Sequence, residues 1–79
     1  MAETIVEVYR LAVFSNWTHE HRGWYNAEDG LITTNPNNIT YYKSEEDAKQ
    51  DINDVYVSNN EHVEIQAVMM SLEELMVRN

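Results

Sequence analysis

The sequence predicts an α+β domain in which a small antiparallel sheet of three to five strands carries one main helix on one face. Three observations lead to this prediction. Segments rich in β-branched and aromatic residues alternate with polar turns, one segment has apolar residues at helical spacing, and a later segment alternates apolar with polar residues. We expect residues 1–79 to form a single domain, because this length is near the minimum for one core. The predicted order is β-β-β-(β)-α-β with a short C-terminal helical turn.

The first half of the chain is predicted to form strands. Residues 4–14 (TIVEVYRLAVF) make a long first strand, because β-branched and aromatic residues dominate it. After the polar segment SNWTHEH, residues 23–26 and 31–34 flank a turn at residues 27–30 (AEDG). Asp-Gly in this turn indicates a hairpin, because glycine accepts positive φ. The loop TNPNN then leads into a short predicted strand over residues 39–43.

Ser44 begins the predicted helix, because its hydroxyl can accept a free backbone amide of the first turn. Three acidic residues follow it and suit the positive end of the helix dipole: Glu45, Glu46 and Asp47. An apolar stripe at i, i+4, i+7 and i+8 would lie on the sheet, formed by Ala48, Ile52, Val55 and Tyr56. The polar run at residues 58–60 ends this helix.

The last predicted strand, residues 61–70, alternates four apolar residues with polar ones: Val63, Ile65, Ala67 and Met69. Ser71 then starts a final helical turn, with Glu74 at the capping-box position. No linker, repeat or low-complexity tract interrupts this order.

Charge is the strongest compositional feature. Fourteen acidic residues against five lysines and arginines give a net charge of −9. Phosphate polyanions would be repelled, so direct binding to nucleic acid or an anionic membrane is disfavoured and a basic protein partner is favoured. The alternative is that the charge serves only solubility.

Composition also bears on location. The sequence has no cysteine, which excludes a disulfide framework and a thiolate zinc site. The N-terminus lacks the basic and apolar regions of a signal peptide, and no apolar run approaches the roughly 20 residues that cross a bilayer. We therefore expect a cytoplasmic protein.

Catalytic and metal-binding signatures are missing from the sequence. There is no nucleophile elbow, glycine-rich phosphate loop or HExxH motif. His19 and His21 would share one face of an extended segment, but a metal needs a third ligand. His62 would have to supply it from elsewhere, or Glu20, which points the other way in that geometry. We expect no enzyme activity, cofactor or metal, and histidines exposed in a loop.

Two groups of residues indicate protein binding. Asp47, Asp51 and Asp54 would form one helix stripe with axial spacings of roughly 6 and 4.5 Å, the same order as successive phosphates on a nucleic-acid strand. No basic residue stands four positions from Asp51 or Asp54, and a solvated helix face is the alternative. Adjacent aromatics such as Trp24-Tyr25 and Tyr41-Tyr42 cannot both point inward from a strand. The predicted contact residues are Asp47, Asp51, Asp54, Glu28, Asp29, Trp17, Trp24 and Tyr42.

Taken whole, the chain resembles the short accessory proteins that bacteriophages and mobile elements make against their hosts, such as anti-CRISPR, anti-restriction and polymerase-inhibiting proteins. The resemblance rests on size, acidity, the missing cysteine, and a sheet followed by YYKSEEDAKQDI and the strand EHVEIQAVMM. It implies a non-enzymatic inhibitor that binds a host protein, often through an acidic surface that occupies a nucleic-acid site.

Two other functions stay open at this point. The chain could be a structural or assembly module that self-associates, for example as a homodimer, through Tyr41, Tyr42 or residues 63–69. A metal-dependent function would instead use His19 and His21.

Overall fold

A computed structural model describes residues 4–78 and shows a four-stranded antiparallel sheet with one main helix and a short C-terminal helix. The predicted fold class and order of elements are confirmed. No helix in the described chain is long and apolar enough to cross a lipid bilayer. The elements are β1 (Ile5–Ser15), β2 (His21–Asn26), β3 (Leu31–Thr33), α1 (Glu45–Ile52), β4 (Glu61–Ser71) and α2 (Leu72–Arg78).

The sheet is built around β1, in the strand order β3-β2-β1-β4. β4 pairs with β1 over its whole length, from Ile5 opposite Ser71 to Ser15 opposite Glu61. β2 pairs only with the second half of β1, and its register shifts between Val13 and Phe14. The first half of β1 and the part of β4 that pairs with it therefore extend beyond β2 and β3, and the molecule measures 47 × 22 × 22 Å.

Strand alternation divides the side chains of β1 between the two faces of the sheet. Leu11 and Val13 are fully buried on the face that α1 covers, where Tyr25, Ala48 and Val55 complete the core. Burying a side chain such as leucine contributes about 1.5–3 kcal/mol, so this face holds most of the apolar stabilisation. On the opposite face, α2 lies against the first half of β1, and the second half is left open.

Helix α1 begins as predicted and ends early. The Ser44 hydroxyl accepts a hydrogen bond from the Asp47 backbone amide at 3.2 Å, which confirms the cap. The helix stops at Ile52 because the next two residues, Asn53 and Asp54, favour turns. Their side chains can hydrogen-bond to nearby backbone groups and so compete with the helical hydrogen bonds. The predicted stripe through residues 55 and 56 is therefore wrong. Val55 still enters the core, but from a turn, whereas Tyr56 is 90% exposed.

Residues 39–43 were predicted to form a strand, and this prediction is wrong. The segment follows a single 3-10 turn, Pro36–Asn38, and changes its pairing partner within three residues. The Thr40 amide donates to the Tyr25 carbonyl of β2, whereas Tyr42 exchanges two backbone hydrogen bonds with Tyr9 of β1. Crossing from one strand to the next leaves an isolated bridge in place of a fifth strand.

The hairpin between β2 and β3 forms as the Asp-Gly pair predicts. Gly30 has a φ of 72°, its amide donates to the Asn26 carbonyl at 2.9 Å, and Asp29 Oδ1 accepts from the Leu31 amide. Gly23 is needed for a different reason. A Cβ atom at this position would stand 2.7 Å from Ile32 Cγ2 and 2.8 Å from the Thr33 carbonyl oxygen. The hairpin closes only because Gly23 has no side chain.

We predict that Gly23→Ala lowers the free energy of unfolding by about 1–3 kcal/mol, because the added methyl group overpacks the contact with β3. Urea unfolding followed by tryptophan fluorescence measures this change. Gly30→Asn is the matched control: asparagine tolerates positive φ, and the space around Gly30 is open. Equal stability of Gly23→Ala and the native chain would contradict the close packing of β3.

Candidate protein-binding surface

Tyr42 joins a helix carboxylate to the sheet. Its hydroxyl donates a hydrogen bond to Asp51 Oδ2 at 2.7 Å, while its backbone is paired with Tyr9. Burial, followed by this hydrogen bond to a carboxylate, raises the pKa of the Tyr42 phenol well above its ordinary range. The phenol therefore stays protonated at neutral pH and remains a donor to Asp51.

Three carboxylates act on the phenol of Tyr25. Burial is the main cause that raises the pKa of its phenol, and the carboxylates of Asp51, Asp54 and Asp29 raise it further, in that order. These three acids come from the C-terminal end of α1, the turn after it and the tip of the β2–β3 hairpin. We call Asp29, Asp51 and Asp54 the acidic surface. It combines the predicted helix acids with the predicted hairpin acid.

The other predicted acids occupy different positions. Asp54 lies beyond the end of α1, so the predicted straight helical stripe is wrong in its last member. Asp47 is in the first turn of α1, where its amide serves the Ser44 cap. Glu28 is exposed beside Asp29 in the hairpin turn, and its amide donates to Asn26 Oδ1. The turn, not the helical repeat, sets where Asp54 stands relative to Asp51.

The predicted aromatic anchors are separated by the fold. Trp17 is 77% exposed in the turn before β2, at the opposite end of that strand from the hairpin tip. Tyr42 is half-buried and held by Asp51. Trp24 and Tyr25 face opposite ways, as predicted: Tyr25 is in the core, and Trp24 lies on the open face. Only Trp17 among these aromatics presents most of its surface to solvent.

The open face carries a row of rings that sequence reasoning did not identify. We call Arg10, Trp24, His21, Phe14 and His62 the aromatic row. The ring centroids are 4.3 Å apart for Trp24 and His21, 5.3 Å for His21 and Phe14, and 5.9 Å for Phe14 and His62. The Arg10 guanidinium carbon stands 5.1 Å from the Trp24 ring centroid. Arg10 and His21 thus shield part of the Trp24 ring from solvent.

Polar contacts hold both ends of the aromatic row. Arg10 Nε donates to Gln66 Oε1 at 2.8 Å. His62 contacts Asn16 Oδ1 through Nδ1, and Glu64 Oε2 at 3.0 Å through Nε2. The signal that could have identified this row is the parity of β1, since Arg10 and Phe14 share one face. The registers that bring His21 and His62 to Phe14 cannot be obtained from a local pattern.

The histidines do not form a metal site in the described chain. His19 has a φ of 60° in the turn, so it and His21 do not share an extended segment. Within residues 4–78, no group of three or more His, Cys, Asp or Glu side chains is arranged to hold a metal ion.

An apolar groove lies between α2 and the first half of β1. It has a volume of about 270 Å³ and is lined by Val6, Glu7, Val8, Lys43, Leu72 and Leu75. No protein-family model, curated protein or solved structure matches the chain. The acidic surface offers carboxylate acceptors that suit lysine and arginine donors.

We predict that Tyr42→Phe lowers the free energy of unfolding at neutral pH by about 0.5–1.5 kcal/mol, because Asp51 loses its hydroxyl donor. The raised pKa of Tyr42 makes its contribution complete below pH ~10 and smaller above it, where the unfolded phenol ionises first. The difference in free energy of unfolding between the native chain and Tyr42→Phe should therefore be smaller at alkaline pH. Urea titrations at neutral pH and about pH 11 measure both values.

Tyr56→Phe is the matched control for this prediction. Tyr56 is 90% exposed, so removal of its hydroxyl should leave the stability and its pH dependence unchanged. If the difference in free energy of unfolding between the native chain and Tyr42→Phe does not change with pH, the protonated Tyr42 phenol does not stabilise the fold as described.

Proposed function

We propose that the protein is a small acidic inhibitor, without enzyme activity, that binds a basic, nucleic-acid-binding surface of a host defence or nucleic-acid-processing protein in the cytoplasm. One observation carries this proposal: Tyr42 holds the Asp51 carboxylate by a hydrogen bond of 2.7 Å, and the carboxylates of Asp51, Asp54 and Asp29, which come from separate elements, all raise the pKa of the buried Tyr25 phenol. Within residues 4–78, no lysine or arginine forms an ion pair with Asp29, Asp51 or Asp54. Their charge is available to a partner.

A basic partner would relieve the repulsion within this surface. Like charges held close together destabilise one another, and the net charge of −9 adds to that repulsion. Lysine and arginine donors from a partner would replace water at the carboxylates, with charge-assisted hydrogen bonds as the result. The field of the surface would also accelerate encounter with a basic protein and slow encounter with a nucleic acid. Charge alone thus selects the class of partner.

Competition with nucleic acid follows from the same chemistry. A surface that binds phosphates uses lysine and arginine side chains, and these are the groups that carboxylates bind. Tyr42 supports the proposal because its hydrogen bond holds Asp51 on the folded scaffold, so that this carboxylate needs little further ordering on binding. Asp47 and Glu28 would add charge at the periphery, and Trp17 would supply an exposed aromatic contact.

We predict that the triple variant Asp29→Asn, Asp51→Asn and Asp54→Asn loses at least tenfold in affinity for the partner. Asparagine keeps the acceptor oxygen used by Tyr42 and by the Leu31 amide, so the fold should persist. Partners are captured from a host lysate, identified by mass spectrometry and titrated with each variant. Affinity for the native chain should fall with rising salt, and the slope should be smaller for the triple variant.

The matched control is Glu20→Gln, Glu64→Gln and Glu73→Gln, which removes the same amount of charge from exposed sites elsewhere. This control should keep most of the affinity. If both triple variants lose affinity equally, net charge and not the acidic surface carries the binding. If neither loses affinity, the proposed function is wrong.

A further inference from the structure

The outer edge of β4 has unpaired backbone groups along most of its length. The amide and the carbonyl of Tyr9 both form hydrogen bonds with Tyr42. Ala67, which lies opposite Tyr9 in β4, therefore forms no backbone hydrogen bond with it. Backbone groups alternate in direction along an antiparallel strand, and the register between β1 and β4 is unbroken. The amides and carbonyls of Val63, Ile65 and Met69 therefore also point away from β1. No backbone partner for these four residues exists within residues 4–78.

This edge has little of the usual protection against strand pairing. Edge strands of natural proteins are short, or they carry charged side chains, proline or a bulge. β4 has 11 residues, contains no lysine or proline, pairs with β1 without a bulge, and carries its two carboxylates, Glu61 and Glu64, within its first four residues. Ala67 is exposed and Met69 is 63% exposed on the same face. An edge of this kind is a template for another strand.

The sequence of β4 suits antiparallel pairing with itself. A two-fold axis at Gln66, the middle residue of β4, would pair the whole strand and place Val63 opposite Met69 and Ile65 opposite Ala67 of the copy. Glu64 would then face Val68, so no two carboxylates oppose each other. Pairing centred on Glu64 would set two carboxylates together and shorten the overlap. Self-pairing about Gln66 would form about eight backbone hydrogen bonds in the dimer, between those four residues of one copy and the same four residues of the other.

Repulsion between the two acidic surfaces opposes this pairing only weakly, because these surfaces lie toward β2 and not toward the paired edge. Asp29 belongs to the β2–β3 hairpin, whereas Asp51 and Asp54 lie at the end of α1 and in the turn after it. All three act on Tyr25 of β2, and β1 separates β2 from β4. In a pair joined at β4, the two β2 strands would be five strand spacings apart, or about 24 Å. This is some three times the Debye length of about 8 Å at physiological ionic strength.

We infer that two copies of the chain pair through β4, antiparallel about Gln66, into a continuous eight-stranded sheet with one acidic surface toward each outer edge. This inference goes beyond the proposed function and does not depend on it. The dimer leaves both acidic surfaces accessible, so a partner with two basic sites would be bound by both copies.

Sedimentation equilibrium from micromolar to millimolar concentration tests the dimer. The native chain should reach twice the monomer mass. Ala67→Pro should stay monomeric, because it removes an amide that the interface uses and the β1–β4 ladder does not. Ala67→Thr keeps the amide and should dimerise like the native chain. Ala67→Glu keeps the amide but makes two carboxylates diagonal neighbours across the two-fold axis, about 7–8 Å apart, so it should be monomeric even if proline disturbs the fold.

Disulfide formation tests the register. The chain has no cysteine, so each single substitution reports one position. In Gln66→Cys, the two cysteines would face each other at a Cα separation of about 4.5 Å and should cross-link under mild oxidation. In Glu64→Cys, they would be about 13 Å apart along the strands and should not. A monomeric native chain at millimolar concentration, a dimer that persists in folded Ala67→Pro, or cross-linking of Glu64→Cys in place of Gln66→Cys would overturn the inference.

Salt separates this inference from the proposed function. Association of two chains of like charge should strengthen as salt rises, whereas binding to a basic partner should weaken. Ala67→Glu should lose the dimer and keep contact with the partner. The acidic-surface triple variant should lose the partner and keep the dimer. A dimer that weakens with salt would contradict pairing through β4.

Discussion

Tyr42 is the residue on which the arrangement of this protein depends. Its backbone exchanges hydrogen bonds of 2.9 and 2.7 Å with Tyr9 in the central strand, and its hydroxyl holds Asp51 near the end of α1. One residue therefore fixes the helix to the sheet and a carboxylate to the scaffold. Ile52 and Val55 can pack on Leu11 and Val13 only when this end of the helix lies over β1. The packing of the core and the position of Asp51 on the surface therefore both depend on the contacts of Tyr42.

The fold separates three kinds of surface. The acidic surface lies beside the β2–β3 hairpin, the aromatic row lies on the open face, and the unpaired edge of β4 lies beyond β1. This separation is possible because the full ladder between β1 and β4 supports an elongated sheet. Each surface therefore has a distinct chemistry: carboxylates, packed rings held at both ends, and free backbone amides and carbonyls. A partner that binds one of these surfaces need not contact the other two.

Local patterns predict much of this fold and less of the surface. The Ser44 cap, the Asp-Gly turn and the alternation of β4 each depend on neighbours in sequence, and all three are present. The end of α1 and the loss of the strand at residues 39–43 depend on partners far along the chain. Sequence reasoning named all three acids of the acidic surface. Their common effect on Tyr25 requires the hairpin to return to the helix, which no spacing in the sequence reveals.

The central claim is that the acidic surface occupies a site at which the partner binds nucleic acid. Displacement of a fluorescently labelled oligonucleotide from the captured partner tests this claim most directly, with fluorescence anisotropy as the readout. The account predicts that the native chain releases the oligonucleotide competitively, so that its apparent inhibition constant rises in proportion to the oligonucleotide concentration. Formation of a ternary complex, with anisotropy that increases when the chain is added, would contradict the account.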